Sequence, residues 1–170
     1  KCEDEFFHLL LQKSLVIDKF LENLLTKIRF ELIYFFKKKN VELIKKYKKF
    51  FISLAEQCWF NEYIYYQTAE EVKFIDELKK KLENNNQVNE EEIIILSCYF
   101  PLYKSSIITK KILNYKSSNN LFNNLILIQV KEPFNEIRLK NSIKSLNKIS
   151  DSVSKKVRDQ YEDNPYPRWK

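Results

Sequence analysis

A chain of 170 residues, 44% of them apolar, is long enough to bury one core and too apolar to be disordered throughout. Its net charge of +7 points toward an anionic partner. Yet of 30 basic residues only Arg29, Arg138, Arg158 and Arg168 are arginine, the type that phosphate and base recognition favours. Glycine is absent altogether, which excludes a P-loop, a dinucleotide fingerprint and the Gly-rich cofactor turn of a Rossmann-type domain from these residues.

Helical signals run along most of the chain. Glu3 to Gln12 carries Phe6, Phe7, Leu9, Leu10 and Leu11 and reads as a short apolar helix. Asp18 is a good N-cap for a longer helix to about Lys38, with Phe20, Leu21, Leu24, Leu25, Ile28, Leu32 and Phe35 at helical spacing. Asn40 is placed to cap the next one, in which Leu43, Tyr47, Phe50, Leu54 and Cys58 recur every three or four residues opposite Lys45, Lys48, Lys49 and Glu56. Thr68-Ala69-Glu70-Glu71 is a capping box that starts a helix running to about Leu82.

After the polar connector from Asn84, Asn89 with Glu92 repeats the cap logic for a helix from Glu90 to about Phe100, ended by Pro101. Ser105 to Tyr115 and Leu121 to Val130 read as a further antiparallel pair, with Pro133 interrupting the chain behind it. Asp151 caps a last helix from Ser152 to about Asp163, and Pro165 and Pro167 make the remainder an extended tail. The expected fold is therefore all-α, an antiparallel bundle or short α-solenoid of about six to eight helices. No internal repeat period is visible, and with only Ala55 and Ala69 as alanines the small-residue pattern of tetratricopeptide repeats is missing.

Cys2, Cys58 and Cys98 are far apart and form no Cys-x-x-Cys pair, so they read as reduced thiols of a cytoplasmic protein rather than a disulfide frame or zinc site. No apolar run reaches the ~18 residues of a membrane span and no secretory signal opens the chain, so no membrane partner is expected. The lysine-rich run from Lys37 to Lys49 is best explained as a solvated helix face, which makes nucleic acid an unlikely partner, because its aromatic residues follow the core period.

Two stretches stand apart. One is Leu54-Ala55-Glu56-Gln57-Cys58-Trp59-Phe60-Asn61-Glu62-Tyr63-Ile64-Tyr65. The other runs from Gln129-Val130-Lys131-Glu132-Pro133 through Ile149-Ser150-Asp151-Ser152-Val153-Ser154 to Tyr161-Glu162-Asp163-Asn164-Pro165-Tyr166-Pro167-Arg168-Trp169. Both resemble the helical region and domain junction of bacterial class I S-adenosylmethionine-dependent methyltransferases that carry tetratricopeptide repeats at their N-terminus, with Trp59 where phenylalanine is usual. The resemblance implies a non-catalytic helical accessory region over 1–150 and a junction helix with a Pro-rich tail over 151–170, leading into a catalytic domain.

With neither Met nor Gly in the chain, the expectation is an internal piece of a longer enzyme. The enzyme would bind S-adenosylmethionine; these residues would bind no cofactor. The partners implied are its own methyltransferase domain and an acceptor protein.

Candidate residues for the junction or for substrate access are Tyr161 near the end of the last helix and Asn164, Pro165, Tyr166, Pro167, Arg168 and Trp169 beyond it; Tyr166, Arg168 and Trp169 lie outside periodic structure, so no helical period explains their surface. Gln57 and Asn61 project from one helical face, with Glu62 beside them. The alternative for these amides is hydrogen bonding to neighbouring helices. His8, the sole histidine, has no evident partner for general-base work and reads as a structural residue. No catalytic or metal-ligating residue is expected. A stand-alone helical interaction module is the alternative from another class.

Overall fold

A computed structural model describes residues 3–85, 87–143 and 151–163. Among them every regular element is helical and no strand occurs. The chain forms two compact units, Lys1–Glu136 and Ile137–Lys170.

In the first unit, α1 (Glu5–Lys13) and α2 (Lys19–Lys37) start at Asp4 and Asp18, whose carboxylates accept from the amides of Phe7 and Leu21 at 3.0 and 2.8 Å. The segment after Asn40 is not one helix but two, α3 (Val41–Lys46) and α4 (Lys48–Phe60), broken at Tyr47. Asn40 makes no side-chain cap bond, because the connection into α3 is a tight turn with Lys39 at φ 57°. Helix α4 is the centre of the unit. Phe50 through Cys58 are buried on all sides, and α1, α6 (Glu90–Ser97) and α8 (Asn120–Ile126) pack around them. The polar face expected from Lys45, Lys48, Lys49 and Glu56 does not form: Lys45 falls in α3, Lys48 and Lys49 in the first turn of α4, and Glu56 is buried.

Helix α5 (Ala69–Asn84) carries the full capping box: Thr68 Oγ1 accepts from the Glu71 amide at 3.2 Å and Glu71 Oε2 from the Thr68 amide at 2.7 Å. Its C-terminal carbonyls are closed by a lysine from α7 (Ser106–Leu113). Lys111 Nζ donates to the carbonyls of Leu82, Glu83 and Asn85 at 2.9, 2.7 and 2.7 Å. Helix α6 (Glu90–Ser97) buries Ile93, Ile94, Ile95 and Leu96, as a helix rather than a strand. Only half of its expected box forms: Asn89 accepts from the Glu92 amide at 3.0 Å, while the Glu92 carboxylate turns to Lys81 at 2.6 Å. A 3₁₀ turn over Leu102–Lys104 leads into α7.

Pro133 does not interrupt the chain, contrary to expectation. Helix α8 (Asn120–Ile126) passes through a π-helical stretch, Leu127–Lys131, straight into α9 (Glu132–Ser142). The wider turn supplies the reason: the Glu132 amide donates to Leu127 O, five residues back, so the backbone reaches Pro133 with the extra residue that relieves the ring's clash on the preceding turn. In the second unit, α10 (Ser152–Asp163) starts at Asp151, whose Oδ2 accepts from the Ser154 amide at 2.7 Å.

Glu90 joins three segments of the first unit. Its carboxylate accepts from Lys48 Nζ, from Tyr115 Oη at 2.8 Å and from Ser117 Oγ at 2.5 Å. Burial alone would raise its pKa, but these three donors and the Lys48 charge hold it below the ordinary 4.5. A carboxyl depressed on folding contributes stability above its unfolded pKa and loses it as pH falls through the folded value. The melting temperature should therefore fall below about pH 4.5, and Glu90→Gln should flatten that acid limb in a pH series of thermal melts; an unchanged limb removes Glu90 as a cause.

Candidate functional site

The last turn of α4 and the corner behind it hold the residues singled out in the sequence. The helix ends when the Tyr63 amide reaches back to Cys58 O at 2.9 Å and the Glu62 amide to Trp59 O at 3.2 Å. Such an ending needs left-handed backbone, and with no glycine available Glu62 and Tyr63 adopt it themselves at φ 58° and 61°. The cost is about 1–3 kcal/mol for each such residue. Asn61 holds the corner, its Oδ1 accepting from the Tyr63 amide at 3.0 Å. The Tyr63 ring lies edge-on to Trp59 at 6.4 Å, and Trp59 meets Tyr103 in the same way at 5.9 Å.

Gln57 and Asn61 do share one end of α4, but their amides diverge. With its amide oriented to match donors to acceptors, the fully buried Gln57 donates to Leu11 O at 3.0 Å and Ser14 O at 2.8 Å and accepts from the Val16 amide at 3.2 Å. It straps the α1–α2 connection to the core. Asn61 folds back on its own helix end, and Glu62 is exposed. Tyr161 is exposed on α10, in the other unit. Asn164, Pro165, Tyr166, Pro167, Arg168 and Trp169 lie outside the described residues, as does Cys2. His8 is buried, its Nδ1 3.1 Å from Ser53 Oγ.

Two groups missed in the sequence organise the interior. Gln129, buried in the π-helical turn, places one nitrogen 3.2 Å from both Ala55 O and Ser97 O, while its Oε1 accepts from Tyr63 Oη at 3.2 Å. It thereby ties the middle of α4 and the end of α6 to the corner at Tyr63. The visible signal was a lone amide inside the apolar run Leu125–Val130.

The second group surrounds Arg29, a fully buried cation on α2. Its Nη2 donates to Tyr66 O at 2.8 Å and Tyr65 O at 3.3 Å and lies 4.0 Å from Glu71 Oε1. The guanidinium stands over the Tyr99 ring at 4.2 Å and the Tyr65 ring at 5.6 Å. Tyr99 Oη binds Glu71 Oε1 at 2.7 Å and approaches Arg29 O at 3.0 Å. The capping carboxylate of α5 is thus also the counter-ion of α2, a double duty that a helical pattern does not announce.

The same cluster contains both described thiols. Burial first, and then the hydrogen bond to Glu71, raises the Tyr99 pKa; burial and the neighbouring Cys58 raise that of Tyr65. Burial also pushes Cys58 upward, but the hydrogen bond from Cys98 and the Arg29 charge outweigh it and hold the thiol below its ordinary value. Cys98 is raised well above its own, by burial and by Cys58.

The lysine run is largely compensated. Lys37 pairs with Glu70 at 2.7 Å, Lys45 with Glu42 at 3.2 Å, Lys48 with Glu90 and Glu91, and Lys49 with Glu5. Lys38 and Lys46 lie over the rings of Tyr34 and Tyr47 at 4.4 and 5.2 Å. The clefts along Leu82, Ile93 and Ile112 and along Phe30, Tyr34 and Glu70 enclose about 10 and 30 Å³, room for about a water molecule rather than a substrate.

Among the described residues no cluster of His, Cys, Asp and Glu is placed to hold a metal, and no helix is long and apolar enough to cross a membrane. No protein-family model, curated protein or solved structure matches the chain.

Proposed function

We propose that the chain is the helical accessory region of a class I S-adenosylmethionine-dependent methyltransferase of the cytoplasm, itself non-catalytic, which docks on the catalytic domain and shapes access of the methyl acceptor. The observation that carries this reading is α10. Val153, Val157 and Tyr161 are 65%, 45% and 63% exposed and recur at i, i+4 and i+8 along one face, immediately before the Asn164-Pro165-Tyr166-Pro167-Arg168-Trp169 motif. Further support is that Gln57 and Asn61 spend their amides on internal bonds, as scaffolding residues do.

A stand-alone interaction module is the second reading, favoured by Leu15, Ile17, Phe20 and Leu24, which expose apolar surface at the start of α2.

The chain by itself should show no S-adenosylmethionine binding in calorimetric titration, whereas a protein expressed from the continuous reading frame beyond Lys170 should bind it. Val157→Ser with Tyr161→Ser should lower the activity of that longer enzyme while leaving the melting temperature of the 170-residue chain within a degree or so, since surface substitutions cost little. A micromolar dissociation constant for the chain alone, or a reading frame that closes without a strand and a Gly-rich turn, sinks the proposal.

A further inference from the structure

Helix α2 leaves one side uncovered. At about 100° per residue, every exposed residue between Lys19 and Lys37 falls within one arc of about 140°, while Leu25, Arg29, Leu32 and Ile33 on the other side are buried. The open arc is not the polar face that such a helix ordinarily turns to water. Phe20 is 77% exposed there, Tyr34 43%, and Leu24 and Phe30 38% each. Lys38 covers one side of the Tyr34 ring and leaves the rest open. An aromatic side chain carries roughly 150–250 Å², so these four, with the exposed Ile17 just ahead of the helix, present roughly 500 Å² of apolar surface.

The four residues are placed symmetrically about Lys27. Leu24 and Phe30 lie three residues to either side of it, Phe20 and Tyr34 seven. Two copies of α2 laid antiparallel across a two-fold axis at Lys27 therefore set Phe20 against Tyr34 and Leu24 against Phe30, each contact made twice. The polar positions match as well. Asn23 and Glu31 lie four residues to either side, so the amide of one copy meets the carboxylate of the other. Lys27 of each copy stands one turn from Glu31 of the other, and the two ammonium and two carboxylate groups around the axis cancel. Among the described residues neither Lys27 nor Glu31 is spent on an ion pair. Chains of net charge +7 repel one another in general, but not across this axis.

We propose that the open face of α2 is a self-association surface whose occupant is the antiparallel α2 of a second copy, paired about Lys27. The contact from Phe20 to Tyr34 runs along about 21 Å of helix. With the polar side chains that lie between the apolar ones, the face reaches roughly the 800 Å² per partner that a specific interface buries. A strongly basic or strongly acidic partner would meet a like charge at Lys27 or at Glu31, whereas a second copy offers each of them its opposite. The pairing uses residues of the first unit only and is independent of α10 and of what α10 docks against.

The test measures the mass of the folded 170-residue chain by sedimentation equilibrium over a concentration series. The expected result is a monomer–dimer equilibrium. Phe20→Ser with Leu24→Ser should hold the chain monomeric throughout while circular dichroism shows wild-type helicity, since both side chains lie at the surface. Lys27→Glu alone and Glu31→Lys alone should each weaken dimerisation at least about tenfold through like charges, and the two together should restore it, because the signs exchange on both copies. Should a variant fail to fold, carbodiimide cross-linking of mixed isotopically light and heavy wild-type chains decides: Lys27–Glu31 links should join a light chain to a heavy one. A chain that stays monomeric at every concentration leaves the face to another occupant and overturns the proposal. So does a dimer that survives Phe20→Ser with Leu24→Ser, a double reversal that binds no tighter than the single ones, or Lys27–Glu31 links confined to one isotope.

Discussion

Glu71→Ala should lower the unfolding free energy of the chain by about 3–5 kcal/mol, the penalty for leaving a buried charge without its partner. Arg29 is wholly enclosed, and Glu71, 4.0 Å away, is the carboxylate it faces. The substitution also removes the return bond of the α5 capping box, worth about 1 kcal/mol, and the acceptor of Tyr99 Oη. Glu71→Gln should cost less, because an amide can still serve Thr68 and Tyr99. In Glu71→Ala, a further Arg29→Met should cost less than Arg29→Met does alone, since the stranded charge is gone. Denaturant melts of the four chains measure this. Additive losses would mean that Arg29 draws its stability from Tyr65, Tyr66 and Tyr99 and not from Glu71.

Gln129→Leu should destabilise by at least about 2 kcal/mol, although leucine is of similar size and suits an apolar run. Each buried group left unsatisfied costs about 1–3 kcal/mol. Gln129 serves the carbonyls of Ala55 and Ser97 and the hydroxyl of Tyr63. Amide exchange should rise most around Ala55 of α4 and at the end of α6, where the lost bonds sat. A variant as stable as the parent would show that these contacts are held by apolar packing alone.

The contrast between the two glutamines shows where reading the chain stopped. Gln57 stood out because it falls in a quoted motif, and its two possible uses, ligand contact or internal bonding, were both visible. Only the packed structure places Leu11, Ser14 and Val16 around its amide. Gln129 was quoted too, but an amide among leucines and isoleucines carries no local mark of which backbones it will bridge.

What the sequence alone determined is local. The caps at Asp18, Thr68, Asn89 and Asp151, the helical character of Ile93–Leu96 and the all-α class follow from hydrogen bonds and periods that span three or four residues. The tertiary structure decided everything that depends on who arrives from far away in the chain. It let the helix pass Pro133 by way of a π turn, split the segment after Asn40, and turned the capping glutamate of α5 into the counter-ion of Arg29, 42 residues earlier. Such couplings carry no periodic signature, because a buried charge or thiol acquires its meaning from the dielectric and the partners that packing supplies.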